Sequence, residues 1–223
     1  MSRYTLEKLQ DNLDKNIALR KKELSIIKSM IKEGENSILS TNIRVGIVML
    51  YSHWEGCIKF SAREYLKYLN SMNLRLVDMR DNFKTLSMKS IIKDCSQSNK
   101  TEKYNEITVE LLTNNKTFKV NEKDKLIINT ESNLSYIVLK DILFSLGLSI
   151  EDYELKENLI KEKLLEKRNS IAHGELLEFQ SGKDDERKKE ILELFDEIIE
   201  LMELFNDQIL EQAVEKKYIQ IKN

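Results

Sequence analysis

The chain has 223 residues, 41% of them hydrophobic and 33% charged, which is enough for one sizeable core. It contains no proline and only 6 glycines, so few residues interrupt helices and long helices are expected. A formal net charge of −2 argues against a broadly basic, non-specific nucleic-acid-binding protein, so any nucleic-acid contact should be confined to a small site. The N-terminus lacks an apolar signal core, and no apolar run approaches the roughly 18 residues that a membrane span needs. We therefore expect a cytoplasmic protein whose two cysteines are reduced and that does not bind a membrane.

The first two predicted elements are long helices. Apolar residues recur at helical spacing over residues 3–32, and Gly34 is expected to end this helix. Residues 40–42, Ser-Thr-Asn, offer alternative N-caps for a second helix that ends near residue 70. Because apolar residues surround this second helix on nearly all sides, it is predicted to be central and buried.

The middle of the chain has a weaker pattern. Residues 71–95 and 101–112 are predicted to be helical. Apolar residues at 118–120 and 126–128 flank a polar turn, which favours a short β-hairpin. Two strands alone are only marginally stable, so we expect residues 96–130 to form a small irregular or β-hairpin insertion.

Three further elements complete the predicted helices. Ser132 is expected to cap a helix over residues 133–146, which Gly147 ends. A helical stripe then covers residues 155–173.

The last long helix is predicted to follow a polar turn at residues 181–182 and to run to about residue 217. Between residues 190 and 211 it carries no Lys or Arg, so its outer face is acidic. Such a face is either a solvated surface or a docking site for a basic partner.

The strongest candidate site is the sequence RNSIAHGE, residues 168–175. A helix turns about 100° per residue, so Asn169 and His173 lie on one face and Ser170 flanks them. The long side chain of Arg168 can reach the imidazole from further round the helix. The segment thus combines a strong cation with a titratable ring.

Gly174 fits the C′ position that ends a helix, where a positive φ is usually needed. His173 would then lie in the last turn, where free carbonyls favour its protonated form and the nearby Arg168 opposes it. An imidazole balanced in this way can titrate near neutral pH. The alternative to a functional site is an ordinary helix end, in which His173 interacts favourably with the helix dipole and Arg168 pairs with a neighbouring glutamate.

Polar residues in the buried second helix need partners. His53 is either a core histidine with satisfied hydrogen bonds or part of the site. Glu55 has three cationic side chains as alternative partners: Arg44, Lys59 and Arg168. We expect Glu55 to brace and orient Arg168, with direct participation in chemistry as the alternative.

Several site types are missing from the sequence. It has no Gly-rich phosphate loop and no G-x-S-x-G elbow, which argues against nucleotide triphosphate hydrolysis and serine hydrolysis. With 2 histidines and no cysteine pair, a zinc site is not expected. The acidic residues do not cluster as a two-metal nuclease requires, so neither a metal nor another cofactor is predicted.

Three stretches of the sequence resemble one known superfamily. The Arg168-to-His173 spacing on a helix resembles the signature of HEPN (higher eukaryotes and prokaryotes nucleotide-binding) domains. Residues 51–59, YSHWEGCIK, are similar to the YxHWEG segment of one bacterial HEPN branch. Residues 130–134, TESNL, followed by an apolar helix ending near Gly147, resemble the middle region of that branch.

This resemblance implies an all-α, antiparallel helical bundle that occupies residues 1–223 as a single domain. Many members of the superfamily are metal-independent RNases of toxin–antitoxin and phage-defence systems. By resemblance the protein is a cytoplasmic endoribonuclease that cleaves RNA by 2′-hydroxyl attack. The implied partners are an RNA substrate, a second copy of the chain, and a cognate antitoxin or neighbouring defence protein. The implied site has two catalytic residues and four supporting ones: Arg168 and His173, then Asn169, Glu55, Ser170 and His53.

Two other interpretations remain open at this point. The chain could be a non-catalytic HEPN scaffold that binds a nucleotide or only holds a dimer together. It could also be an antitoxin-like partner that neutralises another enzyme.

Overall fold

A computed structural model of the chain describes residues 4–98, 100–112, 116–175 and 184–220. Within these ranges the protein is all-α, with two isolated β-bridges and no strands. A 3₁₀ turn at Leu76–Asp78 and a π-helical segment at Leu159–Glu166 supplement the α-helices. The helices are α1 Leu6–Glu33, α2 Asn36–Ser71, α3 Asp81–Ser96, α4 Thr101–Leu112, α5 Tyr136–Leu146, α6 Glu151–Glu154, α7 Lys167–Ala172 and α8 Asp184–Val214.

Helices α1, α2 and α8 form the centre of the bundle. The central position predicted for α2 is confirmed, since residues on most of its sides are buried. Gly46 allows the three helices to approach closely, because a Cβ there would lie 3.0 Å from Ile31 Cδ1 and 3.2 Å from the Phe195 ring. A larger residue at this crossing would have to displace packed side chains.

The relative directions of these helices follow from their contacts. Asn12 Nδ2 donates to Glu64 over 2.7 Å, and Arg20 donates to the carbonyl of His53 over 3.0 Å, so α1 runs antiparallel to α2. Ser61 donates to Asn206 over 2.6 Å at the other end of α2 from the Gly46–Phe195 contact. Helix α8 therefore runs parallel to α2.

The first helix ends at Gly34 as predicted but begins at Leu6, three residues after its predicted start, and the start of α2 also differs from its prediction. Thr5 caps α1 by accepting from the Lys8 amide over 3.2 Å, and Gly34 ends it. The predicted N-cap of α2 at residues 40–42 is wrong, because α2 already begins at Asn36 without a side-chain cap. Asn42 instead donates to the carbonyl of Met30 over 2.7 Å. It is therefore a second donor to a carbonyl at the end of α1, which also accepts from the Gly34 amide, rather than a cap of its own helix.

The insertion at residues 96–130 is irregular after its helix α4, and the alternative β-hairpin does not form. Thr117 bridges Arg75, and the Phe118 amide donates to the Leu74 carbonyl over 2.8 Å. The Phe118 ring is fully buried, with its centroid 6.1 Å from that of Phe83. This segment pairs with the chain after α2 because a contact there buries an aromatic ring, whereas an isolated hairpin would leave it half exposed.

Helix α5 starts three residues later than predicted. Ser135, not Ser132, is its N-cap and accepts from the Val138 amide over 3.3 Å. Gly147 ends the helix in the left-handed conformation, with φ 71°, as predicted. The late start leaves residues 130–134 outside any helix, where they can reach two other helices.

The predicted helical stripe at residues 155–173 is divided into a π-helical segment and α7. The next predicted turn, at residues 181–182, lies outside the described residues. The final helix α8 ends at Val214, short of the predicted residue 217.

Part of the acidic face of α8 is used within the chain. Glu203 pairs with Lys21 of α1 over 2.6 Å, and Glu197 pairs with Lys156 over 2.7 Å. Asp196 pairs with Lys28 of α1. The acidic run therefore faces lysines of neighbouring elements as well as solvent, and exposed pairs of this kind each contribute little stability.

Candidate active site

The YSHWEG sequence places its polar residues on two sides of α2. Tyr51 and Glu55 are four residues apart and share one face, which looks toward α7 and residues 130–134. His53 and Gly56 share another face, which looks toward α1. Trp54 lies between them and is fully buried in the core.

Arg168 lies over the ring of Tyr51. Its guanidinium carbon is 4.7 Å from the ring centroid, a cation–π arrangement. Nη1 donates to Asn133 Oδ1 and to Asn169 Oδ1, each over 2.9 Å. Stacking and two hydrogen bonds through one nitrogen hold the guanidinium in place. Its remaining N–H groups make no hydrogen bond to any residue in the described part of the chain.

Tyr51 forms the floor of this site. Its ring is 2% exposed, and its hydroxyl accepts from the backbone amide of Leu134 over 2.7 Å. Burial, with a smaller contribution from Glu55, raises the pKa of Tyr51 to about 12 against the opposing effects of the Leu134 amide and Arg168. Tyr51 is therefore a neutral, fixed platform at physiological pH.

The Glu55 carboxylate forms hydrogen bonds with Lys59 and Thr130 rather than with Arg168. Lys59 Nζ lies 2.5 Å and Thr130 Oγ1 lies 2.7 Å from Glu55 Oε1. Burial raises the pKa of Glu55, but hydrogen bonds from Lys59, Thr130 and Tyr51 outweigh burial and lower it overall. Any bracing of Arg168 by this carboxylate is thus indirect and passes through Tyr51.

Residues 130–134, which we call the bridging segment, connect all three parts of the site. Thr130 donates to Glu55, Asn133 accepts from Arg168, and the Leu134 amide donates to Tyr51. The three stretches noted in the sequence therefore meet at one place in the fold. The contacts of the bridging segment fix the position of the Arg168 guanidinium relative to the Tyr51 ring.

His53 lies on the opposite side of α2. It is 7% exposed, and its Nε2 lies 3.1 Å from Glu23 of α1. Arg20 Nη1 lies 3.5 Å from His53 Nδ1 and bonds its carbonyl, and Gly56 leaves the space that this guanidinium needs. Burial lowers the pKa of His53, Arg20 lowers it further, and Glu23 opposes them.

The end of α7 has the geometry predicted for Gly174. Gly174 has φ 82°, its amide donates to Ile171, and the Glu175 amide donates to the carbonyl of Ser170 over 3.0 Å. These two bonds are a Schellman motif. His173 is the C-cap, with its amide bonded to the Asn169 carbonyl over 2.9 Å and its side chain exposed.

This arrangement can bind and transform an anion. Arg168 offers N–H donors that no described residue accepts from, and His173 offers an exposed imidazole at the end of the same short helix. A fixed guanidinium is suited to phosphate oxygens, and an imidazole is suited to proton transfer. Among the described residues, no group of three or more His, Cys, Asp or Glu side chains is arranged to hold a metal ion.

Sequence reasoning missed the direct partners of Arg168. Asn133 and Thr130 were assigned no role, and for Tyr51 a core position was favoured over a base-stacking platform. A polar cluster, Thr-Glu-Ser-Asn, directly before the buried Leu134 was the available signal. Its partners lie 35 and 75 residues away along the chain.

The chain is thus an all-α bundle with an arginine in one short helix and a histidine at the C-cap of that helix. The sequence matches the family model described as RiboL-PSP-HEPN over residues 15–211. The chain belongs to this HEPN family. No curated protein and no solved structure matches the sequence significantly. None of the described helices combines the length and the apolar character that a membrane span requires.

The bonding of Glu55 leads to a first testable expectation. Glu55→Gln keeps an acceptor for Thr130, whereas Glu55→Ala leaves the hydroxyl of the buried Thr130 without its acceptor. We expect the Gln variant to retain most of the activity and stability. The Ala variant should lose about 1–3 kcal/mol of unfolding free energy and a larger share of activity. Thermal unfolding measures the stability and cleavage assays measure the activity. Equal, near-total loss of activity in both variants, with the fold intact, would show that the charge of Glu55 itself is required.

Proposed function

We propose that the protein is a metal-independent endoribonuclease of HEPN type that cleaves RNA by 2′-hydroxyl attack. It acts in the bacterial cytoplasm as a toxin or phage-defence effector, with a cognate antitoxin or neighbouring defence protein as a further partner. The observation that carries this proposal is the fixed guanidinium of Arg168, with free donors, on the same short helix as the exposed His173. Membership of the HEPN family supports it.

The four polar residues between positions 168 and 173 each have a role in this reaction. His173 acts as the general base for the 2′-hydroxyl or as the general acid for the leaving 5′-oxygen. Arg168 stabilises negative charge on the scissile phosphate through charge-assisted hydrogen bonds. Asn169 accepts from Arg168 through its oxygen, which leaves its amide nitrogen free to donate to a phosphate. Ser170 is half-buried, and its carbonyl takes part in the helix end that presents His173.

Because stacking and two hydrogen bonds hold Arg168 in place, substitution can test whether activity requires a planar guanidinium group or only a positive charge. Arg168→Lys keeps the charge but loses the planar fork that stacks on Tyr51 and bonds two asparagines. We expect the cleavage rate of an RNA oligonucleotide to fall roughly ten- to a hundredfold, since removing one charge-stabilising donor typically has at least this effect. Arg63→Lys is the matched control, because Arg63 is a partly buried arginine of α2 on the part of the helix beyond Tyr51. A rate unchanged by Arg168→Lys would exclude the proposed role.

The same chemistry favours a homodimer with two copies of α7 facing each other across a twofold axis. Internal attack needs both a base and an acid, and each chain offers one exposed imidazole because His53 is buried against α1. A twofold axis supplies a second His173. We expect light scattering to give twice the 26.3 kDa of one chain, and specific activity to fall on dilution below the dissociation constant. A fully active monomer at nanomolar concentration would contradict this arrangement.

Expression in cells separates the proposed enzyme from the two non-catalytic interpretations. Growth arrest that His173→Ala abolishes is expected of a toxin or defence nuclease. A nucleotide-binding scaffold or an antitoxin-like protein would leave growth unaffected with either residue present.

A further inference from the structure

Arg44 is a cation without a partner in α2. It is partly buried, and its Nε is shielded from solvent without a hydrogen bond. No residue in the described ranges forms an ion pair or hydrogen bond with it, and Glu55, an expected partner, is bonded to Lys59 instead. A partly buried guanidinium without an ion-pair partner is energetically unfavourable, so an anion beside its accessible atoms would stabilise it.

Arg44 lies on the same side of α2 as the floor of the active site. It precedes Tyr51 by seven residues, which is two helical turns and about 10 Å along the axis. Tyr51 contacts Arg168 of α7. Arg44 is therefore on the face of α2 that looks toward the α7 side of the bundle.

The direction of α7 brings its C-terminus toward Arg44. Contacts with α8 move from Asp152–Gln208 to Lys156–Glu197, and a small cleft then gathers Lys163 and Lys167 with Glu190 and Glu193. The segment leading into α7 thus runs antiparallel to α8, and α8 runs parallel to α2.

Because α7 is antiparallel to α2, its residues after Arg168 extend from the level of Tyr51 toward lower numbers of α2. His173 lies about 7.5 Å further along α7 than Arg168, and Arg44 lies about 10 Å from Tyr51 in the same direction. The two side chains are therefore close to the same level of the bundle.

We propose that Arg44 is a second phosphate-binding residue of the Arg168–His173 site and holds an RNA phosphate next to the scissile one. This inference rests on the proposed ribonuclease function and extends it. Arg168 engages the reacting phosphate, whereas Arg44 neutralises a neighbouring backbone phosphate and fixes the register of the strand. Contacts to the backbone position the nucleic acid without selecting its sequence.

Binding of an uncleavable RNA tests the proposal. The probe is a single-stranded RNA carrying 2′-O-methyl groups at every ribose, which lack the attacking hydroxyl, bound by the full-length protein over a series of salt concentrations. Arg44→Gln is expected to weaken binding about tenfold, as the loss of a charge-assisted hydrogen bond does. It should also reduce the slope of log K against log salt by about 0.7, the value for one phosphate of a single strand.

Arg63→Gln is the matched control. Arg63 is also partly buried, has a shielded Nε without a hydrogen bond, and lies 19 residues from Arg44, roughly 28 Å along α2. It should leave both affinity and slope unchanged. An equal effect of the two substitutions would mean that Arg44 contributes only general positive charge, which overturns the proposal.

The remaining outcomes separate this inference from the proposed function. If Arg44→Gln binds as the wild type does, while the wild type cleaves unmodified RNA, only the role of Arg44 is overturned. If the wild type neither binds nor cleaves RNA, both fail. If circular dichroism or light scattering shows that Arg44→Gln is unfolded or monomeric, the salt dependence of RNA binding is measured with Arg44→Lys instead. Lysine keeps the charge, so a native salt slope supports the phosphate contact and a reduced slope excludes it.

Discussion

His173→Ala is expected to lower the rate of RNA cleavage by about a hundred- to ten-thousandfold, the range that proton transfer by a positioned side chain typically supplies. The exposed ring of His173 makes no hydrogen bond to any other residue in the described ranges, so its removal should leave the fold intact. Stability and circular dichroism should therefore match the wild type. Single-turnover cleavage of an RNA oligonucleotide measures the effect on the chemical step.

The chain provides its own control, because it has a second histidine. His53→Asn removes the other imidazole, which is buried against Arg20 and Glu23. This variant should lose stability but retain cleavage within a few-fold when assayed well below its unfolding temperature. An equal loss of cleavage in both variants would assign proton transfer to His53 as well. An undiminished rate in His173→Ala would remove the proposed base and acid together.

Local periodicity was sufficient to predict most helices. The apolar patterns of α1, α2 and α8 and the left-handed glycines Gly147 and Gly174 depend on residues a few positions apart, which sequence displays directly. The N-cap of α2 was predicted incorrectly, because Asn42 is a good capping residue that the fold uses for the end of α1 instead. Capping preference shows that a residue can satisfy a free backbone group but not which helix supplies that group.

The insertion shows a second limit of local patterns. Phe118 has the alternation of a strand, but its partner is the chain near Leu74 rather than the apolar run that follows it. Burial of its ring against Phe83 decides the pairing, and that contact depends on the position of α3 in the bundle. The alternation of apolar and polar residues within the insertion therefore cannot predict which segment Phe118 pairs with.

The candidate site was predictable where its residues are close in sequence and not elsewhere. Arg168 and His173 stand five positions apart, about 140° round a helix, so the prediction that they act together depends on the reach of the arginine side chain and stays a prediction. The partners that fix Arg168 are Asn133 and Tyr51, which the chain brings to it from two other elements. Glu55 was expected to orient Arg168 directly, but Thr130 and Lys59 occupy its carboxylate.

The structure also gives a physical reason for each residue type in YSHWEG. Tyr51 supplies a platform and Glu55 a bonded carboxylate on one face, while His53 and Gly56 accommodate Arg20 on another. These contacts explain how so polar a sequence is accommodated in a central helix of the bundle.

A single 2′-deoxy substitution in the substrate should have the largest effect of all. The proposed reaction begins with attack of the 2′-hydroxyl on the adjacent phosphate, so an oligonucleotide that lacks only the hydroxyl before the cut should show no detectable cleavage at that position. The matched all-ribose oligonucleotide should be cleaved at the same rate with and without EDTA. Its products should carry a 2′,3′-cyclic phosphate or a 3′-phosphate and a 5′-hydroxyl.

The end groups distinguish this mechanism from the main alternative nuclease chemistry. Attack by a metal-activated water does not use the 2′-hydroxyl and commonly leaves a 5′-phosphate. Cleavage of the deoxy substrate with a 5′-phosphate product, or loss of activity in EDTA that Mg²⁺ restores, would exclude internal attack. Because His173 and Arg168 are proposed to act on the 2′-hydroxyl, the leaving oxygen and the phosphate between them, either result would also remove the roles assigned to both residues.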